Sequence, residues 1–111
     1  MAEQIVVQLR SEIDVGSFTY ELRHGKAVTD DLASGTRFSE ISGYLKRISL
    51  DDTLSEQQQD NDFIHEVVHA INQVYLDGEL EERQVKCVSN GFHQVLKQLG
   101  VTFRLQPSEG G

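Results

Sequence analysis

An apolar stripe of helical spacing between Thr53 and Tyr75 is the sequence feature that most constrains the fold. At about 100° per residue, its large apolar side chains fall within one arc of roughly 140°. They are Phe63, Ile64, Val67, Val68, Ile71, Val74 and Tyr75. A helix with one apolar face has to bury that face against other elements. We therefore predict a long core helix over this segment, beginning at a capping box formed by Thr53 and Glu56.

A second helix is predicted directly after the first, from about residue 80 to residue 99. Gly78 and Gly100 are placed to end the first and second helices, because glycine readily adopts the left-handed conformation of a helix terminus. The apolar residues between them repeat at helical spacing: Val85, Val88, Phe92, Val95, Leu96 and Leu99. A tight turn at Gly78 would fold this helix back alongside the first.

The first half of the chain has the patterns of strands. Residues 4–9 are rich in β-branched side chains, and residues 17–23 and 43–50 alternate in side-chain character. Segments 4–9 and 17–23 are expected to pair with each other. Residues 24–35 carry the Gly, Asp and Ser of a loop.

These elements, with a short final strand at residues 101–105, predict an α+β fold in which a small, mostly antiparallel sheet packs against two helices. Residues 1–105 are expected to form a single domain, because a chain of 111 residues can bury one modest core. Residues 106–111 are expected to be a flexible tail.

Charge and cysteine content limit the classes of partner. The chain has 18 acidic and 10 basic residues, a formal charge of −8 and no basic run, so neither nucleic acid nor an anionic membrane surface is expected as a partner. Cys87 is the only cysteine, which excludes an intramolecular disulfide and a cysteine-based zinc finger. With no secretion signal or long apolar run, we expect a cytoplasmic protein whose substrate or partner is a protein or peptide.

Two histidines and a glutamate on the long helix stand in the order HExxH, as His65, Glu66 and His69. Both imidazoles lie one turn apart and outside the apolar arc. Two such rings can bind Zn²⁺ through nitrogens at about 2.0 to 2.1 Å, with positions left for a third protein ligand and a water. Glu66 can then take the proton of that water as it attacks a carbonyl. The pattern predicts a zinc site with Glu66 as general base.

The third ligand is expected from the acidic start of the second helix. Glu79, Glu81 and Glu82 follow His69 closely, and the turn at Gly78 would return them to the first helix. Acidic residues at a helix start also complement the helix dipole without any metal. Spacing therefore does not decide which of the three glutamates is the third ligand.

The stretch "DFIHEVVHAINQVYLDGELEERQVKCVSNGFHQVL" resembles small phage and prophage proteins in which an HExxH helix precedes a segment containing "SNG..QVL". Those proteins are compact zincin-like domains, similar to reduced forms of the ImmA/IrrE and SprT metallopeptidases. The resemblance covers roughly residues 50–99 and implies a zinc-dependent peptidase. It also implies that Glu82 joins His65 and His69 as the third ligand, since Glu82 matches a family glutamate three residues before the helix valine, Val85.

Two positions depart from the family pattern. Lys86 stands where larger ImmA/IrrE members carry a glutamate, and His93 stands where the small relatives often have tyrosine. The first departure separates this chain from the larger enzymes.

For a peptidase, residues 43–50 are the expected edge strand, to which an extended peptide would pair. Spacing does not single out a residue that stabilises the oxyanion, and four remain open: Tyr44, Tyr75, His24 and His93.

Two other functions fit the same sequence. If four protein ligands hold the zinc, its role could be purely structural, to lock the two helices together. The chain would then be a binding module. Alternatively, an acidic phage protein could block a nucleic-acid-binding host protein by presenting its carboxylates, among them Asp30, Asp51, Asp60 and Glu79. An HExxH pattern can also arise by chance on a helix surface.

Overall fold

The computed structural model describes residues 3–105, which form an α+β structure of six strands and three helices. The strands are β1 (Ile5–Gln8), β2 (Glu12–Val15), β3 (Phe18–Arg23), β4 (Ser39–Ser42), β5 (Arg47–Leu50) and β6 (Val101–Arg104). The helices are α1 (Lys26–Ser34), α2 (Glu56–Tyr75) and α3 (Glu82–Gln98). The predicted fold class is confirmed. The predicted tail, residues 106–111, lies outside the described residues.

The strands form two sheets. One has the order β2-β3-β5-β4 and is antiparallel except between β3 and β5, and the other is the parallel pair of β1 and β6. The predicted pairing of the first two strand segments was wrong. β2 follows β1 and turns back at Gly16, which has a φ of +62°, so that it occupies the edge of β3.

The edge strands of the four-stranded sheet are β2 and β4, and the prediction that residues 43–50 form an edge was wrong. Residues 43–46 make the turn into β5, with Lys46 at a φ of +54°. β5 then lies between β3 and β4 and buries Ile48 and Leu50. Two hydrophobic side chains on one face of a short strand are compatible with a central strand and with an edge strand, so the sequence pattern does not distinguish the two positions.

Residues 24–35, predicted as a loop, contain α1. Leu32 is the only buried residue of this helix, so the segment lacks a repeating apolar face that would indicate a helix. Its start is held by His24, whose Nδ1 lies 2.9 Å from the carboxylate of Asp52.

α2 begins after Ser55, two residues later than predicted. Ser55 Oγ accepts a hydrogen bond of 3.2 Å from the backbone N–H of Gln58. Thr53 instead donates its backbone N–H and its hydroxyl to one carboxylate oxygen of Asp51. The capping box prediction was wrong because Asp51 competes for Thr53.

The core lies between α2 and the inner face of the four-stranded sheet. It joins residues from the sheet, α2 and α3, among them Tyr20, Leu22, Ile48, Leu50, Phe63, Ile64, Val68 and Val85. Ile71 and Tyr75, which the apolar arc included, are exposed. In the last turn of α2, Val74 and Tyr75 lie over Gly16 at the tip of the β2–β3 hairpin. This arrangement leaves the opposite side of α2 to meet α3.

Candidate metal centre

His65 and His69 lie on adjacent turns of α2, and both are partly buried. Their Nε2 atoms are 3.2 Å apart. The carboxylate of Glu82, in the first turn of α3, reaches both rings, with one oxygen 3.2 Å from His65 Nε2 and the other 3.0 Å from His69 Nε2. The structure thus brings the three residues predicted as ligands to one point.

The separations suit a tetrahedral cation. Ligand atoms at 2.0 to 2.1 Å from a tetrahedral centre are about 3.3 Å from one another. The nitrogen–nitrogen and nitrogen–oxygen distances of 3.0 to 3.2 Å are close to that value. Two imidazoles and one carboxylate are also the donor set of several catalytic zinc sites. Within residues 3–105, no other group of three or more His, Cys, Asp or Glu side chains has comparable geometry.

Of the three glutamates that spacing left open, only Glu82 joins the histidines. Glu81 is the N-cap residue of α3, and its backbone N–H donates a 2.8 Å hydrogen bond to the side chain of Gln84. Glu79 lies exposed in the preceding turn. The capping of α3 at Glu81 therefore places the next residue at the inner side of the first helical turn.

Asn72 holds the connection that leads to Glu82. Its side chain donates to the backbone oxygen of Leu80 and accepts from the backbone N–H of Leu80, both at 3.0 Å. The chain reverses just before, at Asp77 and Gly78, which have φ values of +49° and +72°. The sequence signal for Asn72, a polar residue of low helix propensity inside a helix, is visible but was missed.

Ser89 determines which nitrogen of His65 faces the site. The buried hydroxyl donates to the backbone oxygen of Lys86 at 3.1 Å and lies 3.3 Å from His65 Nδ1. Because its proton goes to Lys86, the oxygen of Ser89 accepts from Nδ1–H of His65. With its Nδ1–H held in this way, the neutral ring would present the lone pair of Nε2 to a bound cation, as a metal ligand requires.

The surroundings of His65 also favour its neutral imidazole. Burial lowers the pKa of His65, and the neighbouring His69 lowers it further, while Glu82 raises it. Metal binding needs the neutral imidazole, so the environment of this ring reduces the competition between protons and a cation.

Glu66 is buried and stands outside the ligand cluster. It accepts a hydrogen bond from the hydroxyl of Ser39, the first residue of β4. Burial raises the pKa of Glu66 to about 7, and the negative charges of Asp62 and Glu82 add to this rise, whereas the hydrogen bond from Ser39 opposes it. A carboxyl group with a pKa near neutrality can both accept and release a proton.

A pocket of about 400 Å³ opens beside His65 and Glu66. Its other walls come from the segment that enters β4, from α2 and from α3, and include Phe38, Ser39, Asn61, Lys86 and Asn90. The ammonium of Lys86 and the amide of Asn90 are therefore hydrogen-bond donors next to the cluster. Sequence patterns did not point to either of them as a pocket residue.

None of the four residues considered for oxyanion stabilisation lines this pocket. Tyr44 and Tyr75 are exposed, and His24 pairs with Asp52. His93 borders a different pocket, together with Gln4 and Asp60.

No protein-family model, curated protein or solved structure matches this chain. The resemblance to small phage zincin-like proteins therefore stays a prediction. None of the helices in the described part of the chain has the length and hydropathy needed to cross a bilayer.

Proposed function

We propose that the protein is a zinc-dependent metallopeptidase of the zincin type, encoded by a phage or prophage and acting in the cytoplasm of the bacterial host. The observation that carries this proposal is the convergence of His65 Nε2, His69 Nε2 and the Glu82 carboxylate on one point, beside a buried glutamate and an open pocket. The lone cysteine, Cys87, suits a reducing compartment.

The roles of the residues follow from their positions. His65, His69 and Glu82 would hold Zn²⁺, which when bound supplies the Lewis acidity that makes water nucleophilic near neutral pH. Glu66 takes the proton from the attacking water and delivers it to the leaving amine. Lys86 and Asn90 offer donors for the oxygen that becomes negative as the carbonyl is attacked.

The substrate would bind along β4. This strand pairs with β5 on one side only, and its first residue, Ser39, contacts Glu66 and lines the pocket. An extended peptide that adds to the free edge by backbone hydrogen bonds would run past the base and the metal ligands. The edge predicted at residues 43–50 cannot serve, because β5 is covered on both sides.

The decisive test combines metal analysis with peptide cleavage. The purified native protein should contain about one zinc per chain, and His65→Ala should lose it. Glu66→Gln should keep the zinc and lose cleavage of a diverse peptide library. Glu79→Gln is the matched control, since Glu79 is exposed and outside the cluster. Loss of zinc and cleavage in the control as well would contradict the assignment.

A non-catalytic, zinc-stabilised binding module is the second candidate. It is favoured by the origin of the ligands, because two come from α2 and one from α3, so that a bound cation would cross-link the helices. Such a module predicts a fourth protein ligand and a zinc-loaded protein that cleaves no peptide.

The third function, in which an acidic protein blocks a nucleic-acid-binding host protein, has less support. Asp60, one of the carboxylates it relied on, is buried, and it accepts hydrogen bonds from the hydroxyl of Thr102 and the backbone N–H of Phe103. It is therefore not available to a basic partner.

A further inference from the structure

Four large apolar side chains lie exposed in a line along α3. Val88, Phe92, Val95 and Leu99 are 42%, 57%, 54% and 58% exposed, and we refer to them as the α3 stripe. Their spacing alternates between four and three residues, which is the spacing by which paired helices form a continuous seam. The helix instead contacts the core through Val85, Ser89 and Leu96, which leaves the stripe largely uncovered by residues 3–105.

The surface beside the stripe carries no charge. The neighbouring positions of α3, on the side of the stripe that is farther from the core, are also uncharged. At about 100° per residue, these positions and the stripe together span an arc of roughly 160°. The neighbouring positions are Gln84, Cys87, Gly91, Gln94 and Gln98. The charged residues of α3 lie on its other side. A solvated helix face normally carries charged residues, and a quarter of this chain is charged, so this face is not adapted to water.

Gly91 lies inside this uncharged arc, at a position that packing within residues 3–105 does not require to be glycine. Apart from its own helix backbone, a Cβ added there would meet no atom of the described residues within 4 Å, and the residue has ordinary helical backbone. Glycine weakens a helix relative to alanine, so its use here calls for another reason. Close approach of a second molecule is such a reason. The next residue, Phe92, protrudes, so the face offers a depression and a projection side by side.

We propose that the α3 stripe is the interface of a symmetric dimer of this chain. When two copies of α3 pack antiparallel about a two-fold axis near Gly91, each Phe92 can lie over Gly91 of the other copy. A surface with an adjacent projection and depression is self-complementary under this symmetry. The interface is independent of the metal site, because Glu82 lies on a different side of α3.

Charge also favours a second copy over a basic partner. Two chains that each carry a formal charge of −8 can approach closely only where acidic side chains are absent from the contact. The face of the stripe meets that condition. A basic partner would be recognised by acidic residues, and this arc has none.

An exposed apolar residue also lies near the end of the stripe. Ile5 is 52% exposed, and its backbone N–H donates to the backbone oxygen of Gly100 at 2.7 Å, next to Leu99. Because a specific interface buries at least about 1,000 Å² in total, we expect the dimer contact to include the uncharged positions beside the stripe and both Ile5 residues.

Sedimentation velocity of the full chain, from about 5 to 500 µM, tests the proposal. We expect reversible association to twice the monomer mass, unchanged by zinc or by a chelator. Gly91→Gln fills the depression without a clash inside the chain and should raise the dimer dissociation constant at least tenfold. Arg83→Gln, on the charged side of α3, is the matched control and should associate like the native protein.

Thermal unfolding at the lowest concentration separates the interface from a folding defect. Gly91→Gln should raise the melting temperature of the monomer, because the glycine is not needed for the fold. A native chain that stays monomeric at 500 µM, a dimer that dissociates when zinc is removed, or a Gly91→Gln protein that still associates would each overturn the proposal.

Discussion

The side-chain amide of Asn72 forms a two-point contact with the peptide group of Leu80, with both hydrogen bonds at 3.0 Å. Asn72 lies one turn beyond His69 on α2, and Leu80 lies two residues before Glu82. This contact therefore connects the helix that provides both imidazoles to the segment that provides the carboxylate. We therefore expect the geometry of the candidate metal centre to depend on it.

Asn72→Ala is expected to weaken zinc binding. Loss of the buried amide leaves the N–H and C=O of Leu80 without partners, which should lower the free energy of unfolding by about 1 to 3 kcal/mol. Freed of this restraint, Glu82 should contribute less, and zinc affinity should fall about tenfold, as measured by competition with a chromophoric chelator. Gln73→Ala is the control, because Gln73 is the neighbouring exposed residue and its side chain accepts a hydrogen bond from the hydroxyl of Tyr20. Equal affinities in the two variants would show that Asn72 does not position the ligand.

Ser89→Ala is expected to disturb His65 while leaving the ligand atoms in place. Without the hydroxyl, Nδ1–H of His65 has no acceptor, and the tautomer that directs Nε2 to the site loses its stabilisation. Outer partners of this type contribute about 10- to 100-fold in metal affinity. Competition with a chromophoric chelator should therefore show a zinc affinity that is lower by about 10- to 100-fold in the variant than in the native chain. An unchanged zinc affinity would argue against the role of Ser89.

The metal-free protein should lose stability as pH rises through the titration of Glu66. Its pKa is raised from the ordinary 4.5 to about 7 in the folded state, so between these values the folded protein binds more protons than the unfolded chain. The contribution of Glu66 is thus most favourable below about pH 4.5 and is lost as pH approaches 7. Urea unfolding with chelator present should show a decrease of at most about 3 kcal/mol over this range. Glu66→Gln should flatten the profile, and Glu79→Gln should not.

Asp62→Asn is expected to stabilise the protein at pH 7.5. Asp62 is buried, and its Oδ2 has no hydrogen-bond partner within residues 3–105. Burial raises its pKa and the charge of Asp51 raises it further, whereas the hydrogen bond from Gln58 lowers it. Asparagine keeps an acceptor for Gln58 and removes the buried charge.

The expected gain for Asp62→Asn is about 1 kcal/mol at pH 7.5, and it should vanish at pH 3.5, where the native carboxyl is protonated. Urea unfolding at the two pH values measures the difference. A loss of stability at both pH values would mean that the Asp62 charge has a stabilising partner.

The sequence by itself determined the elements whose signal is local. The apolar repeat of α2 predicted the helix, and the one-turn spacing of His65 and His69 placed both rings on one side of it, because helical geometry alone relates residues four apart. Gly78 and Gly100 predicted the two helix ends in the same way, and the short apolar segment after Gly100 predicted β6. Each of these depends only on neighbours within one or two turns.

Spacing left three glutamates open, and only the tertiary structure decided which carboxylate lies beside the histidines, as the family resemblance implied, and which edge strand lies next to Glu66. The capping of α3 at Glu81 and the contact of Asn72 with Leu80 place Glu82, and not Glu81, beside the histidines. Neither feature produces a periodic pattern in the sequence. β1 pairs with β6 from the far end of the chain, and β5 lies inside the sheet, because packing chooses among strands with similar patterns. The α3 stripe illustrates the same limit, since periodicity shows that a helix has an apolar face, and only packing decides how much of that face the core covers.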